Sequence, residues 1–124
     1  ESSEAVLALE PDFAAADAFD IGVVGPRKVG VVGQSSEQHC DVEVRAFFRS
    51  GGMAVEDPVT GSLNAAVAQW LLGDGTLRAP YVASQGTALG RRGRVFVEQV
   101  DSKIWIGGDV VTCIDGTVNL AAQP

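Results

Sequence analysis

The stretch from Leu63 to Leu72 constrains the fold of this chain most strongly, because Asn64 and Gln69 are its only polar residues. A helix that is apolar almost all round has to be buried on most of its sides. Alanines at positions 65, 66 and 68 allow neighbouring backbone to approach closely, and glycines at 73 and 75 provide a helix stop. The simplest architecture is a central helix with a sheet wrapped around it.

Most of the remaining chain has the composition of short strands. Alternating or β-branched runs separated by turn residues predict strands at 21–24, 29–32, 41–48, 79–84, 95–100, 103–106, 109–113 and 117–120. The first two runs are either separate strands or one interrupted strand. Proline and alanines predict a short helix over 11–19, and we expect residues 50–52 to be flexible. Short strands joined by tight turns imply a mainly antiparallel sheet, so the predicted fold class is α+β in one domain, residues 1–124.

Bulk properties exclude several classes of partner. A formal net charge of −7 argues against nucleic-acid binding, which needs clustered Lys and Arg. No apolar run approaches the ~20 residues that span a bilayer, and the acidic N-terminus is unlike a signal peptide. Cys40 and Cys113 have no CxxC spacing and predict two free thiols, while His39 lacks the companions of a metal site. We therefore expect a cytoplasmic protein with no membrane partner and no metal.

The segment before the apolar helix is typical of an anion-binding helix start. Thr60 is a good N-cap, and Gly61 and Ser62 are expected in the first turn, where four backbone N–H groups lack intrahelical partners. Glycine leaves room for a ligand, the helix dipole contributes about half a positive charge, and the Ser62 hydroxyl can donate another hydrogen bond. We predict that the carboxylate of a small substrate binds at this helix end.

An acidic pair lies directly upstream of this helix start. Pro58 fixes the backbone of Asp57, so the Asp57 carboxyl can face the same pocket and hold or relay a proton. Glu56 is an alternative for that role. The spacing alone fits ordinary capping of a buried helix equally well, so both interpretations stay open at this point.

The segment Glu56 to Ser62, with the sequence EDPVTGS, precedes an alanine-rich helix that ends in Trp70-Leu71, and this combination resembles the signature of phenazine-biosynthesis-type (PhzF-like) isomerases. The resemblance extends from about Asp12 to Leu120 and covers the C-terminal half of a family member. It implies one lobe of a diaminopimelate epimerase-like fold, in which each half is a barrel-like sheet around a central helix. The active site of such a protein lies in the cleft between its two halves.

The same resemblance implies a proton transfer on a small carboxylate substrate without metal or organic cofactor, with a glutamate of the N-terminal half as acid and base. That half is absent from this sequence. The residues that carry over are Asp57 as the acidic catalytic residue and Thr60, Gly61, Ser62, Gln85 and Gly86 as substrate-binding residues. The sequence departs from the family pattern at Ser84 and at Arg92-Gly93, near the expected cleft.

A glycine loop and a basic cluster follow these positions. Gly90 and Arg91 match the family's glycine loop, and Arg91, Arg92 and Arg94 form the only basic cluster of the sequence. The cluster either attracts an anionic substrate or is a solvated turn.

Three hypotheses about function remain. In the first, the chain is the C-terminal lobe of an isomerase or epimerase, inactive by itself because the catalytic glutamate belongs to an N-terminal lobe. In the second, two copies form a homodimer that recreates a two-lobed cleft, with Glu56 or Asp57 in place of the missing base. In the third, the chain is a non-catalytic domain that binds a small anion or a protein partner.

Overall fold

The computed structural model describes residues 2–12, 21–27, 39–50, 53–118 and 120. They form α1 (Ser3–Leu7), β1 (Ile21–Pro26), β2 (Val42–Ser50), β3 (Met53–Asp57), α2 (Gly61–Gly73), β4 (Tyr81–Gln85), β5 (Gly93–Val100) and β6 (Lys103–Gly107), with a 3-10 turn at Thr87–Leu89. The predicted α+β class and the predicted apolar helix are confirmed. In the described part of the chain neither helix reaches bilayer-spanning length, since α2, the longer one, has 13 residues.

The strands form one six-stranded sheet in the order β1-β2-β4-β5-β6, with β3 paired to β2. All pairings are antiparallel except the parallel pairing of β2 with β4. One edge of β2 is covered by β1, and the other edge is divided between β4, which pairs with 42–44, and β3, which pairs with 46–50. The last residues of β3 and β4, Asp57 and Gln85, therefore lie close to each other beside β2.

Helix α2 packs on one face of this sheet. Val67, Ala68 and Leu71 are buried against a cluster contributed by β2, β4 and β5, with Val44 and Val97 fully buried. No described residue covers the opposite side of the helix, where the Trp70 side chain is 58% exposed. The described strands form an open sheet, so the closed, barrel-like sheet around a central helix stays a prediction.

Two glycines of β1 allow both helices to approach this strand closely. A Cβ at Gly22 would lie within van der Waals overlap of the Leu63 side chain on α2. A Cβ at Gly25 would lie 2.7 Å from the Ser2 carbonyl oxygen and 2.8 Å from a Val6 methyl group of α1. A side chain at position 25 would push the start of α1 away from the sheet, whereas one at position 22 would displace the Leu63 side chain.

The other face of the sheet is held to α1 by a buried arginine of β2. Arg45 donates from Nε and Nη2 to the two carboxylate oxygens of Glu56, at 3.0 and 2.7 Å. Its Nη1 donates to the carbonyl oxygens of Val6, Leu7 and Leu9, at 3.1, 3.4 and 2.7 Å, and so satisfies acceptors at and after the end of α1. The hydrogen bonds to Glu56 raise the pKa of Arg45. One side chain thus joins α1, β2 and β3.

Several sequence predictions differ from the structure. Strand β3 was not predicted, because the glycines at 51–52 and the acidic pair that ends the strand indicate a loop when neighbours are unknown. The strand predicted at 109–113 is wrong, and the described residues of 117–120 form no strand either. Val110 and Ile114 are 88% and 92% exposed, because no described strand pairs with this segment. The predicted strand at 29–32 and most of the predicted helix at 11–19 lie outside the described residues.

We expect Arg45→Met to destabilise the chain by about 3–5 kcal/mol, because the substitution leaves the buried Glu56 carboxylate and the α1 carbonyls without their donor. Urea unfolding measures the change. The matched control is Arg92→Met at an exposed position, for which less than about 0.5 kcal/mol is expected. Equal effects of the two substitutions would contradict the role given to Arg45.

Alkaline pH should destabilise the fold through two buried groups. Burial raises the pKa of the Cys40 thiol and of the Tyr81 phenol, so the folded chain holds both protons more tightly than the unfolded chain. The resulting stability is complete below the unfolded values, about 8.5 for Cys and about 10 for Tyr, and is lost as pH rises through the higher folded values. We expect Tyr81→Phe to reduce the loss of stability between pH 9 and 11, measured by urea unfolding at each pH; an unchanged loss would contradict this assignment.

Candidate functional site

A cleft of about 410 Å³ opens where β1, β2 and β3 meet the first turn of α2. Its apolar side consists of Ile21, Ala46, Phe47, Phe48 and Leu63, and its polar side consists of Asp57, Thr60 and Ser62. Three of the predicted site residues are therefore brought together around one opening. The volume suits a small ligand with an apolar body and an acidic group.

The first turn of α2 is not capped by its N-cap side chain. Thr60 occupies the predicted N-cap position, but its hydroxyl makes no hydrogen bond to the N–H groups of the helix. The first helical bond runs from Asn64 N–H to the Thr60 carbonyl oxygen, at 3.1 Å. Within the described part of the chain, the N–H groups of Gly61, Ser62 and Leu63 have no acceptor. A Cβ at Gly61 would meet no atom within 4 Å, so the approach to these N–H groups is open.

The Thr60 hydroxyl instead donates to Asp57, with 2.7 Å between Oγ1 and Oδ2. Asp57 is half-buried at the end of β3 and lines the cleft, as the sequence predicted for its carboxyl. The other carboxylate oxygen, Oδ1, makes no hydrogen bond to any described residue. A carboxylate with one oxygen held and one oxygen free can exchange a proton with a ligand in the cleft.

Glu56 points away from the cleft. Both of its carboxylate oxygens accept hydrogen bonds from Arg45 on the opposite face of the sheet. Successive strand residues point to opposite faces, so the pairing of Glu56 with Arg45 places Asp57 on the cleft side. Of the two acidic residues considered from the sequence, only Asp57 lines the cleft.

Gln85 and Gly86 lie behind the cleft rather than along it. The Gln85 side chain is fully buried and contacts Asp57, Thr60 and Asn64. Gly86 has a φ of 85°, and a Cβ there would lie 2.7 Å from the Pro58 carbonyl oxygen, so this glycine allows the loop after β4 to pack against the segment before α2. Direct contact of either residue with substrate stays a prediction, and their burial argues against it.

The predicted basic cluster is divided in the structure. Arg91 and Arg92 are exposed on the turn after Gly90, which has a φ of 68°. Arg94 is half-buried and donates from Nη1 to the Ser84 hydroxyl at 3.1 Å. None of the three lines the cleft.

His39 and the two cysteines do not line the cleft. Nε2 of His39 is 3.2 Å from Oδ1 of Asp41. Cys40 and Cys113 are free thiols, the first buried and the second exposed. A search of the described residues finds no group of three or more His, Cys, Asp or Glu side chains that could hold a metal ion.

Sequence reasoning missed two parts of the site. The aromatic side chain of Phe48, on the same face of β2 as Ala46, comes from a strand end that its alternation marks only as half-buried. Asn64 is a buried polar residue that donates to both Gln85 Oε1 and the Thr60 carbonyl oxygen. Its position in an otherwise apolar helix was a signal, because a buried amide requires hydrogen-bond partners.

Fold and site together define an α+β protein with an uncapped helix start and a carboxylate that face one apolar cleft. A scan against protein families matches residues 1–116 to the phenazine biosynthesis-like protein family PhzC-PhzF. The chain belongs to this family, and membership indicates an isomerase-like function. No curated protein and no solved structure matched the chain significantly.

We expect Gly61→Ala to weaken binding of small carboxylates at least about tenfold, because the Cβ of a helical residue tilts toward the helix N-terminus, where it crowds an anion at the free N–H groups. The space at this position is open, so the fold accommodates the added methyl group. The stability of the chain should stay the same or rise slightly, since alanine is the better helix former. NMR titration and urea unfolding measure the two effects.

Gly73→Ala is the matched control, because Gly73 is at the other end of α2 and also has open space at its Cβ position. It should leave carboxylate binding unchanged. Equal binding by wild type and both variants would contradict an anion site at Gly61.

Proposed function

We propose that this chain is the C-terminal lobe of a PhzF-like isomerase or epimerase that transfers a proton on a small carboxylate substrate without a cofactor. The observation that supports this proposal most is the pairing of an uncapped helix start with Asp57 across one apolar cleft. Family membership is consistent with the proposal.

In this proposal the substrate carboxylate accepts hydrogen bonds from the free N–H groups of Gly61 and Ser62, and the exposed Ser62 hydroxyl donates a further one. The positive end of the helix dipole favours an anion at this position. The apolar side of the cleft, with Phe48 and Leu63, contacts the body of the substrate and excludes water from it.

Asp57 acts on the proton that moves. Its Oδ2 is held by the Thr60 hydroxyl, and its unpartnered Oδ1 accepts or returns a proton at a substrate atom close to the bound carboxylate. The second acid or base is the glutamate that the family resemblance implies, supplied by an N-terminal lobe that covers the cleft. The C-terminal lobe alone, which is this chain, binds the substrate and does not turn it over.

Two apolar surfaces support a missing partner lobe. The outer side of α2 exposes Trp70, and the segment after β6 exposes Val110, Val111, Ile114 and Val118 by 76–92%. Apolar exposure of this extent is typical of surfaces that another protein part covers. We propose that the N-terminal lobe covers them, that residues 116–121 become a strand on that lobe, and that the sheet closes around α2.

A second candidate is a non-catalytic domain that binds a small anion and forms a homodimer. The exposed segment after β6 favours this candidate, because a β-rich apolar segment can also pair with a second copy of the chain. Under this candidate the chain alone is a dimer in solution, carboxylates bind, and no proton exchange occurs.

We expect Asp57→Asn, in a protein that contains both lobes, to slow solvent deuterium exchange into a bound carboxylate substrate by about 100-fold or more. The amide has the size of the carboxylate and keeps an acceptor for Thr60, but it cannot take up the proton. Mass spectrometry of recovered substrate measures the exchange, over a panel of small cyclic and amino-acid-like carboxylates.

Asp109→Asn is the control, because Asp109 is exposed and distant in sequence from the site. If Asp57→Asn exchanged deuterium at the wild-type rate, this result would contradict the proton-transfer role of Asp57. Binding without exchange in the wild-type two-lobed protein would favour the non-catalytic candidate.

A further inference from the structure

The side-chain amide of Gln85 uses its full hydrogen-bonding capacity inside the protein. Oε1 accepts from Thr60 N at 3.1 Å and from Asn64 Nδ2 at 2.8 Å. Nε2 donates to the Asp57 carbonyl oxygen and to Thr60 Oγ1, both at 3.0 Å. An amide has two donor hydrogens and one oxygen with two lone pairs, so Gln85 has nothing left to offer a substrate.

Two backbone partners of Gln85 fix which atom of its side-chain amide is the oxygen and which is the nitrogen. A backbone N–H can only donate, so the atom facing Thr60 N is the oxygen of Gln85. A backbone carbonyl can only accept, so the atom facing the Asp57 carbonyl is the NH₂ group. The amide is therefore oriented by two contacts that do not involve the Thr60 side chain.

This orientation determines the direction of the Thr60 hydroxyl. Because Oγ1 receives a hydrogen from Gln85 Nε2, its own hydrogen points elsewhere, and Asp57 Oδ2 lies 2.7 Å away. Threonine at an N-cap ordinarily accepts from the second or third N–H of the helix, which here belong to Ser62 and Leu63. Here the contacts to Gln85 Nε2 and Asp57 Oδ2 hold the hydroxyl in an orientation in which it makes no hydrogen bond to either N–H group.

We propose that Gln85 is a positioning residue that withholds the Thr60 hydroxyl from helix capping and directs it to Asp57. The consequence is twofold: one oxygen of Asp57 is held at the rim of the cleft, and the N–H groups of the first turn stay free for a carboxylate. The value of this arrangement for binding rests on the proposed function, whereas the direction of the hydroxyl is a property of the fold.

The test compares Gln85→Met with Asn64→Leu. Gln85→Met removes the donor to Oγ1, one of the two contacts that hold the Thr60 hydroxyl, so the hydroxyl can turn toward the first turn of α2 and cap it. Asn64→Leu also removes a buried amide from the network, but it leaves both contacts of Gln85 Nε2 in place. The two acceptors that the lost side chain served each keep a donor. Gln85 Oε1 still accepts from Thr60 N, and the Thr60 carbonyl oxygen still accepts from the backbone N–H at position 64. The two variants should lose similar stability and differ in the first turn.

Amide hydrogen exchange of Ser62 and Leu63, measured by NMR, decides between positioning and a purely structural role. We expect exchange at one of these amides to slow about five-fold in Gln85→Met, as a new cap forms, and binding of acetate or benzoate to weaken. Asn64→Leu should show neither change. Faster exchange across the first turn in both variants would overturn the proposal.

Thr60→Val keeps the test decisive if Gln85→Met fails to fold. Because the hydroxyl does not cap α2 in the wild type, its removal should leave exchange at Ser62 and Leu63 within about two-fold of the wild-type rate. Exchange that becomes five-fold faster would show that the hydroxyl caps the helix and would overturn the proposal. A wild-type chain that binds no carboxylate would contradict the proposed function alone, since the exchange comparison needs no ligand.

Discussion

The buried amide of Gln85 joins three segments that are distant in the sequence: the end of β3, the start of α2 and the end of β4. The strands bring these segments together, because β3 and β4 share one edge of β2 and both end there. With all four of its hydrogen bonds made inside the protein, the amide fixes the backbone between Asp57 and Thr60. The geometry of the cleft depends on this contact, since Asp57 and the first turn of α2 are held relative to each other through it.

A second constraint acts from the opposite face of the sheet. Arg45 holds Glu56 with two hydrogen bonds, which fixes the side on which each residue of β3 lies. Strand alternation then directs Asp57 toward the cleft. A buried ion pair of this kind adds little net stability compared with an apolar pair of the same size, but loss of one partner is costly. Its main effect here is to specify which of two adjacent carboxylates faces the cleft.

The parts of the fold that the sequence predicts are those with local signals. The apolar run of 63–72 and its glycine stop predict α2, and alternation in 41–48 predicts β2. Predictions fail where the structure depends on neighbours. Residues 53–57 form a strand because β2 is beside them, and residues 109–113 form none because no described strand pairs with them. The resemblance of EDPVTGS to a known signature identified Asp57 and Ser62, yet no local pattern shows that Gln85 is saturated by Thr60, Asp57 and Asn64, since that depends on where β4 ends.

The proposed function depends on a carboxylate site at the free N–H groups of the first turn of α2, beside Asp57. An NMR titration of ¹⁵N-labelled chain with benzoate detects binding there, because each backbone amide reports separately. We expect the largest saturable shifts at Gly61, Ser62 and Leu63, with no comparable shifts at Arg91 and Arg92. Shifts confined to the arginine turn, or shifts at the helix start that do not saturate, would contradict it.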